Sequence, residues 1–142
     1  MMTISQLLDG KGRQIFAIAP DAAVLEALRR MAEHQVGALL VMVGDTLHGV
    51  VSERDYARNV VLKGRSSPAT PVSDIMTASV VTISEEATVE EAMREMTQHR
   101  IRHLPVMQGG RVSGIVSIGD LVKCVIEDQR HLIEDLQSYI HS

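Results

Sequence analysis

The chain has 142 residues, 45% of them hydrophobic and 23% charged, with a formal net charge of −4; these are ordinary values for one folded domain with a moderate core. With no Trp, one Phe and two Tyr, the core must be aliphatic, filled out by eight Met, and stacking platforms for single-stranded nucleic acid are not expected. The acidic balance argues against broad binding to DNA or anionic membrane, the lone Cys124 excludes an intramolecular disulfide, and no run approaches the ~18 apolar residues of a membrane span.

The N-terminus, Met1-Met2-Thr3-Ile4-Ser5-Gln6, lacks the basic and then apolar pattern of a secretory signal, so a cytoplasmic location is the expectation. Asp9-Gly10-Lys11-Gly12-Arg13-Gln14 reads as a loop, and Ile15 to Ile18 as a strand, because the apolar stretch is too short for a helix. Val24, Leu28 and Met31 fall at helical spacing and predict an amphipathic helix. Two apolar runs, Leu39 to Val43 and Val50-Val51, flank Gly44-Asp45-Thr46 and predict a hairpin in which Gly and Asp supply the positive-φ positions. A second helix opens after Ser52, and the breaker-rich stretch from Gly64 to Pro71 ends the pattern.

The same pattern then returns. Residues 83–126 repeat residues 18–61 at a constant offset of 65, with 17 identities in 44 aligned pairs and no gap. Val80 to Ile83 forms the expected strand, and Val89, Met93 and Met96 mark the helix. Thr88 and Glu91 have capping-box spacing at its start, where the first copy has Ala23. Leu104 to Met107 and Ile115-Val116 form the hairpin around Gln108-Gly109-Gly110. The last helix, seeded at Asp120, runs on to Ile140 along a stripe of Leu121, Val125, Leu132, Leu136 and Ile140; it either folds back on the core or makes a dimer or partner contact. A unit duplicated in this way buries its apolar face against its copy. The expected fold class is α+β, with two β-α-β-β-α repeats packed as a pseudo-twofold pair and an extended C-terminal helix. The expected organisation is a first repeat with its N-terminal segment over residues 1–65, a linker over 66–71, a second repeat over 72–127 and a helical extension over 128–142.

The chemistry-bearing motif stands after the last strand of each copy: Gly49-Val50-Val51-Ser52-Glu53-Arg54-Asp55 and Gly114-Ile115-Val116-Ser117-Ile118-Gly119-Asp120. Ser and Asp at a helix N-terminus offer backbone N–H groups and a hydroxyl to a phosphate, and a carboxylate to ribose hydroxyls. Ser-x-x-Asp is equally a helix-capping signature, and spacing alone does not separate the two readings. The six His show no close ligand pattern, Cys124 sits mid-helix with no activating group, and the acidic run Glu85-Glu86, Glu90-Glu91 reads as solvent-facing; no metal site and no catalytic residue is expected.

These two segments, the run Ile101-Arg102-His103-Leu104-Pro105-Val106 and the entry segment Val72-Ser73-Asp74-Ile75-Met76-Thr77 together resemble a tandem pair of CBS (cystathionine-beta-synthase) domains, the Bateman module, over about residues 4–127. The resemblance implies a disc of two repeats with adenosine ligands in two clefts between them. It places Ser52, Arg54, Asp55, Thr77, Val81, Thr82, Ile101, Arg102 and His103 at one cleft, with Arg100 beside them. At the other it places Ser117, Asp120, Phe16, Ala17, Val36, Gly37 and Ala38. Lys11 and Arg13, in a segment three residues longer than its counterpart, add positive charge near that second cleft; the alternative is a plain surface turn. Arg54 and Arg102 against Gly119 and Gly37 make the clefts electrostatically unequal.

The function so implied is a regulatory, non-catalytic module that binds AMP, ADP, ATP or NAD, with no catalytic cofactor, and signals to a partner protein or across a homodimer. At about 0.3 kcal/mol per heavy atom a mononucleotide would bind with a dissociation constant on the order of 10 micromolar. The alternatives are a dimerisation scaffold without ligand, or a regulatory fragment related to enzymes such as inosine-monophosphate dehydrogenase. Only about 20 residues lie outside the repeats and their linker, too few for a catalytic domain.

Overall fold

A computed structural model of the chain describes residues 2–141. Each repeat builds a three-stranded sheet, β1 (Ala17–Ile18), β2 (Ala38–Val43) and β3 (Thr46–Ser52) in the first copy, β4 (Ile83–Ser84), β5 (His103–Gln108) and β6 (Arg111–Ser117) in the second. The first two strands of each sheet are parallel and the last two antiparallel. The parallel pair needs a crossover, which α2 (Val24–His34) and α4 (Val89–His99) supply.

These crossover helices form for the reason their periodicity gives, with one correction. The core face is Val24, Ala27 and Met31 in α2 and Val89, Ala92 and Met96 in α4. Leu28 and Met93, expected at the centre of that face, lie at its edge and are only partly buried. An alanine at the closest point lets the helix approach the sheet. Thr88 caps α4 by accepting the Glu91 N–H at 3.1 Å, whereas Ala23 gives α2 no side-chain cap. Both hairpins have two-residue turns. Gly109 and Gly110 take φ of +59° and +78°, but in the first hairpin only Gly44 is positive, at +59°, so Asp45 does not play the part expected of it.

The segments that precede the repeats are exchanged. Ile4, Leu7 and Leu8 belong to the core of the second repeat, packed with Val89, Leu104 and Val116. Val72 and Ile75, which lead into the second repeat, are buried in the core of the first. The backbone bonds match: Ile4 donates to Ala87 at 2.8 Å and Val72 donates to Ala22 at 2.8 Å. Each repeat therefore completes the other's core. The first of these segments is a helix, α1 (Ile4–Lys11), opened by a reciprocal Thr3/Gln6 capping box and closed at Gly12, where φ is +106°. The loop expected at residues 9–14 is thus half helix.

Two further readings are corrected. Glu85 is buried rather than solvent-facing, because Arg13 reaches it at 2.9 Å; the Arg13 guanidinium, with hydrogen bonds from Ser113 and Ser5, holds its carboxyl down at about 2. The final helix, α5 (Ile118–His141), has 24 residues and so a length of about 36 Å. It does not fold back on the core; residues 127–141 are all exposed, with Leu132, Ile133, Leu136 and Ile140 on the surface.

Candidate functional site

The helix that follows β3 is α3 (Glu53–Tyr56), which continues as a π-helical turn through Val61. Ser52 caps it. Its Oγ accepts the Asp55 N–H at 3.2 Å, and Asp55 Oδ2 in return accepts the Ser52 N–H at 2.9 Å and the Ser52 hydroxyl at 3.0 Å. The capping reading of this motif is therefore correct but incomplete, since one carboxylate oxygen does all of that work. Asp55 Oδ1 has no hydrogen-bond donor among the described residues. The motif's glycine is a close-approach residue. A Cβ on Gly49 would lie 2.8 Å from Met76 Sδ and 2.9 Å from the Thr77 carbonyl, and this proximity lets Val50 and Thr77 exchange two backbone bonds of 3.0 and 2.9 Å. Thr77 is thereby drawn to the strand that delivers Ser52.

Around Asp55 lies a cavity of about 440 Å³. Ser52, Arg54, Asp55, Thr77, Val81, Ile101, Arg102 and His103 all line it, as the sequence implied; Thr82 does not. Gly37, assigned to the other cleft, lies here, beside the His103 ring. Sequence reasoning missed Val50, Glu53, Ser79, Val80, His99 and Arg58, the last being legible only as a second basic residue four places after Arg54. Burial pushes the Asp55 carboxyl above its ordinary value, against the Ser52 hydrogen bonds and the weaker pull of Arg58 and Arg54. His103 is pushed down, first by burial and then by Lys11 and Arg102, with Asp120 opposing. It lines the cavity at Asp55 while feeling the charges of Lys11 and Asp120.

A proline explains why β4 does not begin where β1 does. In the first repeat Leu40 donates its N–H to the Phe16 carbonyl at 3.0 Å, which holds Ala17 opposite Leu40. The equivalent of Leu40 is Pro105, which has no N–H to give, so pairing starts one residue later at Ile83 opposite Val106. The expected strand over Val80 to Ile83 is reduced to Ile83–Ser84, and the carbonyl of Val81, a residue of the cavity wall, lacks the bond that Phe16 receives.

The second motif has the same backbone and different surroundings. Asp120 Oδ2 accepts the Ser117 N–H at 2.8 Å and also the Lys11 ammonium at 2.6 Å. Lys11 donates again to the Ile115 carbonyl at 2.7 Å. Burial alone would raise Asp120, but Lys11 and Ser117 outweigh it and hold the carboxyl below its ordinary value. The remaining expected residues are engaged as well. Phe16 stacks on His34 with ring centroids 3.9 Å apart, Val36 packs on the first core, Ala38 is buried, and the Ala17 carbonyl accepts Arg30 Nη1 at 2.6 Å. Arg13 is held by Asp9 at 2.6 Å and by Glu85 at 2.9 Å, and makes no ion pair with Asp120 among the described residues. Oδ1 is without a donor in both motifs among the described residues; the difference is that Lys11 neutralises Asp120 and no cation pairs with Asp55.

A profile of the CBS domain matches residues 12–62 and 72–127. A mitochondrial CBS domain-containing protein from Arabidopsis thaliana is 39% identical over 97% of this chain and 71% of its own length. The solved structure of a candidate signal-transduction protein with CBS domains from Burkholderia ambifaria superposes with a TM-score of 0.87 at 50% identity, covering 90% of this chain and 96% of that one. A CBS domain protein from Pyrobaculum aerophilum, solved in complex with AMP, superposes with a TM-score of 0.75 at 27% identity, covering 84% and 89%.

Proposed function

The chain belongs to the CBS-domain family, with two copies in tandem, and from that premise we propose that it is a regulatory module binding one adenine nucleotide in the cleft at Asp55. The observation that carries the reading is that the Asp55 carboxylate has no cation within ion-pair distance among the described residues and faces a cavity lined by four arginines, whereas Asp120 is already paired with Lys11 at 2.6 Å. Asp55 Oδ1 is placed to accept from ribose hydroxyls, the Val81 carbonyl from the amino group of adenine, and the arginines to donate to phosphate. Val50, Val80, Val81 and Ile101 supply the apolar walls a base needs. The AMP held by the Pyrobaculum relative is in keeping with this ligand class. Occupancy is then passed on through α5, whose exposed Leu132, Leu136 and Ile140 offer a contact face to a second copy or a partner.

Calorimetry with AMP, ADP, ATP and NAD tests the reading. Binding of at least one is expected, and no heat from any at roughly 100 times the ~10 micromolar expectation would overturn it. The role given to Val81 is tested by Pro105→Ala. The new N–H can complete the bond that Leu40 makes to Phe16 and so occupy the Val81 carbonyl. Loss of one base hydrogen bond weakens adenine nucleotides about tenfold, with little change for guanine nucleotides, which present no amino group at that position of the ring. An unchanged adenine affinity would remove Val81 from the site.

A further inference from the structure

The cations around the first cleft outnumber what one phosphate can use. Arg54 and Arg58 come from the first repeat, four positions apart on one helical face, and Arg100 and Arg102 from the second. All four line the cavity at Asp55, and all four also line an adjoining groove of about 520 Å³. No carboxylate lies within ion-pair distance of any of them among the described residues, although Glu53 and Asp55 share the cavity wall and Arg58 and Arg54 act on Asp55 from further off. Arg54 makes only a long contact, 3.4 Å, to the Arg100 carbonyl. Lys11, Arg13 and Arg30 have acidic partners elsewhere, but Arg29, Lys63, Arg65, Arg94, Arg111, Lys123 and Arg130 have none within ion-pair distance among the described residues, so what marks these four is their convergence on one cavity. Grouped guanidiniums repel one another until an anion joins them, and each presents a fork of donors that one phosphate, with three terminal oxygens, cannot serve four times.

We infer that the ligand of this cleft is a nucleoside polyphosphate, with the nucleoside in the cavity at Asp55 and the phosphate chain running along Arg54, Arg58, Arg100 and Arg102 into the groove. The inference rests on the reading that the cleft takes an adenine nucleotide, and it adds discrimination by phosphate number. Arg100 is the C-cap of α4, as Gln35 is of α2, and with Ile101 and Arg102 it lines the cavity.

The test is calorimetry, without magnesium, using adenosine, AMP, ADP, ATP and inorganic triphosphate. Affinity is expected to rise with each phosphate, ATP binding at least about tenfold tighter than AMP, because each added phosphate gains charge-assisted hydrogen bonds. Added salt should weaken ATP more than AMP. Arg58→Gln and Arg100→Gln, both at exposed positions, should lower ATP affinity more than AMP affinity, and together bring the two within about threefold. Equal affinity for AMP and ATP in the unaltered protein would overturn the inference and leave the nucleotide reading standing. Failure of adenosine, AMP, ADP and ATP alike would overturn both. Inorganic triphosphate binding as tightly as ATP would also overturn both, since the nucleoside would then contribute nothing.

Discussion

Asp55→Asn is expected to weaken nucleotide binding about 100-fold without lowering thermal stability, and Asp120→Asn to do the reverse. The first magnitude follows from removing a charged acceptor of two hydroxyl hydrogen bonds, about 3 kcal/mol in all. The opposite effects on stability follow from the surroundings. Asp55 has its pKa raised by burial, so the fold binds its proton more tightly than the unfolded chain does, and its ionised form costs stability at neutral pH. An amide there removes that cost and can still accept the Ser52 N–H. Asp120 has its pKa lowered, so its contribution is present above the ordinary carboxylate value of 3.8 and is lost as pH falls through the folded-state value. Asp120→Asn removes the pair with Lys11, whose side chains are 36% and 24% exposed, at a cost on the order of 1 kcal/mol. Nucleotide affinity should be nearly unchanged, since Asp120 is already engaged by Lys11. Calorimetry and thermal melts of the two variants, read together, distinguish a ligand carboxylate from a structural one.

Leu8→Ala is expected to be the most damaging single truncation near the N-terminus, lowering stability by about 3 kcal/mol. Leu8 is fully buried, although it lies only a few residues into the chain. It packs against Gly114, where an added Cβ would lie 2.9 Å from Leu8 Cδ1, and with Leu7 and Ile4 it closes the second core. A small N-terminal helix with no tertiary role would show a loss of under about 0.5 kcal/mol in chemical denaturation. That result would contradict the exchange of segments between the repeats. The truncation should also loosen Lys11, one turn further along α1, and so free Asp120.

The duplication at an offset of 65 carried most of the fold in plain sight, because Val24, Met31, Gly49, Ser52 and Asp55 sit in equivalent places to Val89, Met96, Gly114, Ser117 and Asp120. What that correspondence hid was every point at which one copy differs in hydrogen-bonding capacity. Pro105 in place of Leu40 shortens β4 and frees a carbonyl, a consequence visible in the sequence once the ladder partner of Phe16 is known. The resemblance puts Gly37 at the second cleft, yet it lines the cavity at Asp55, beside the His103 ring. Lys11 and Arg13 were read as one cationic loop. The Thr3-x-x-Gln6 capping box makes the segment a helix instead, and sends Lys11 to Asp120 and Arg13 to Glu85. Long-range partners of this kind are set by packing between elements, which local spacing does not encode.

A crystal structure of the protein grown with saturating ATP reads out the inequality of the two clefts. The expected result is one nucleotide per chain, with its ribose on Asp55, its adenine beside Val81, its phosphates along Arg58 and Arg100, and the Lys11–Asp120 pair intact. A nucleotide seated on Asp120 with Lys11 displaced, and the cleft at Asp55 empty, would contradict it.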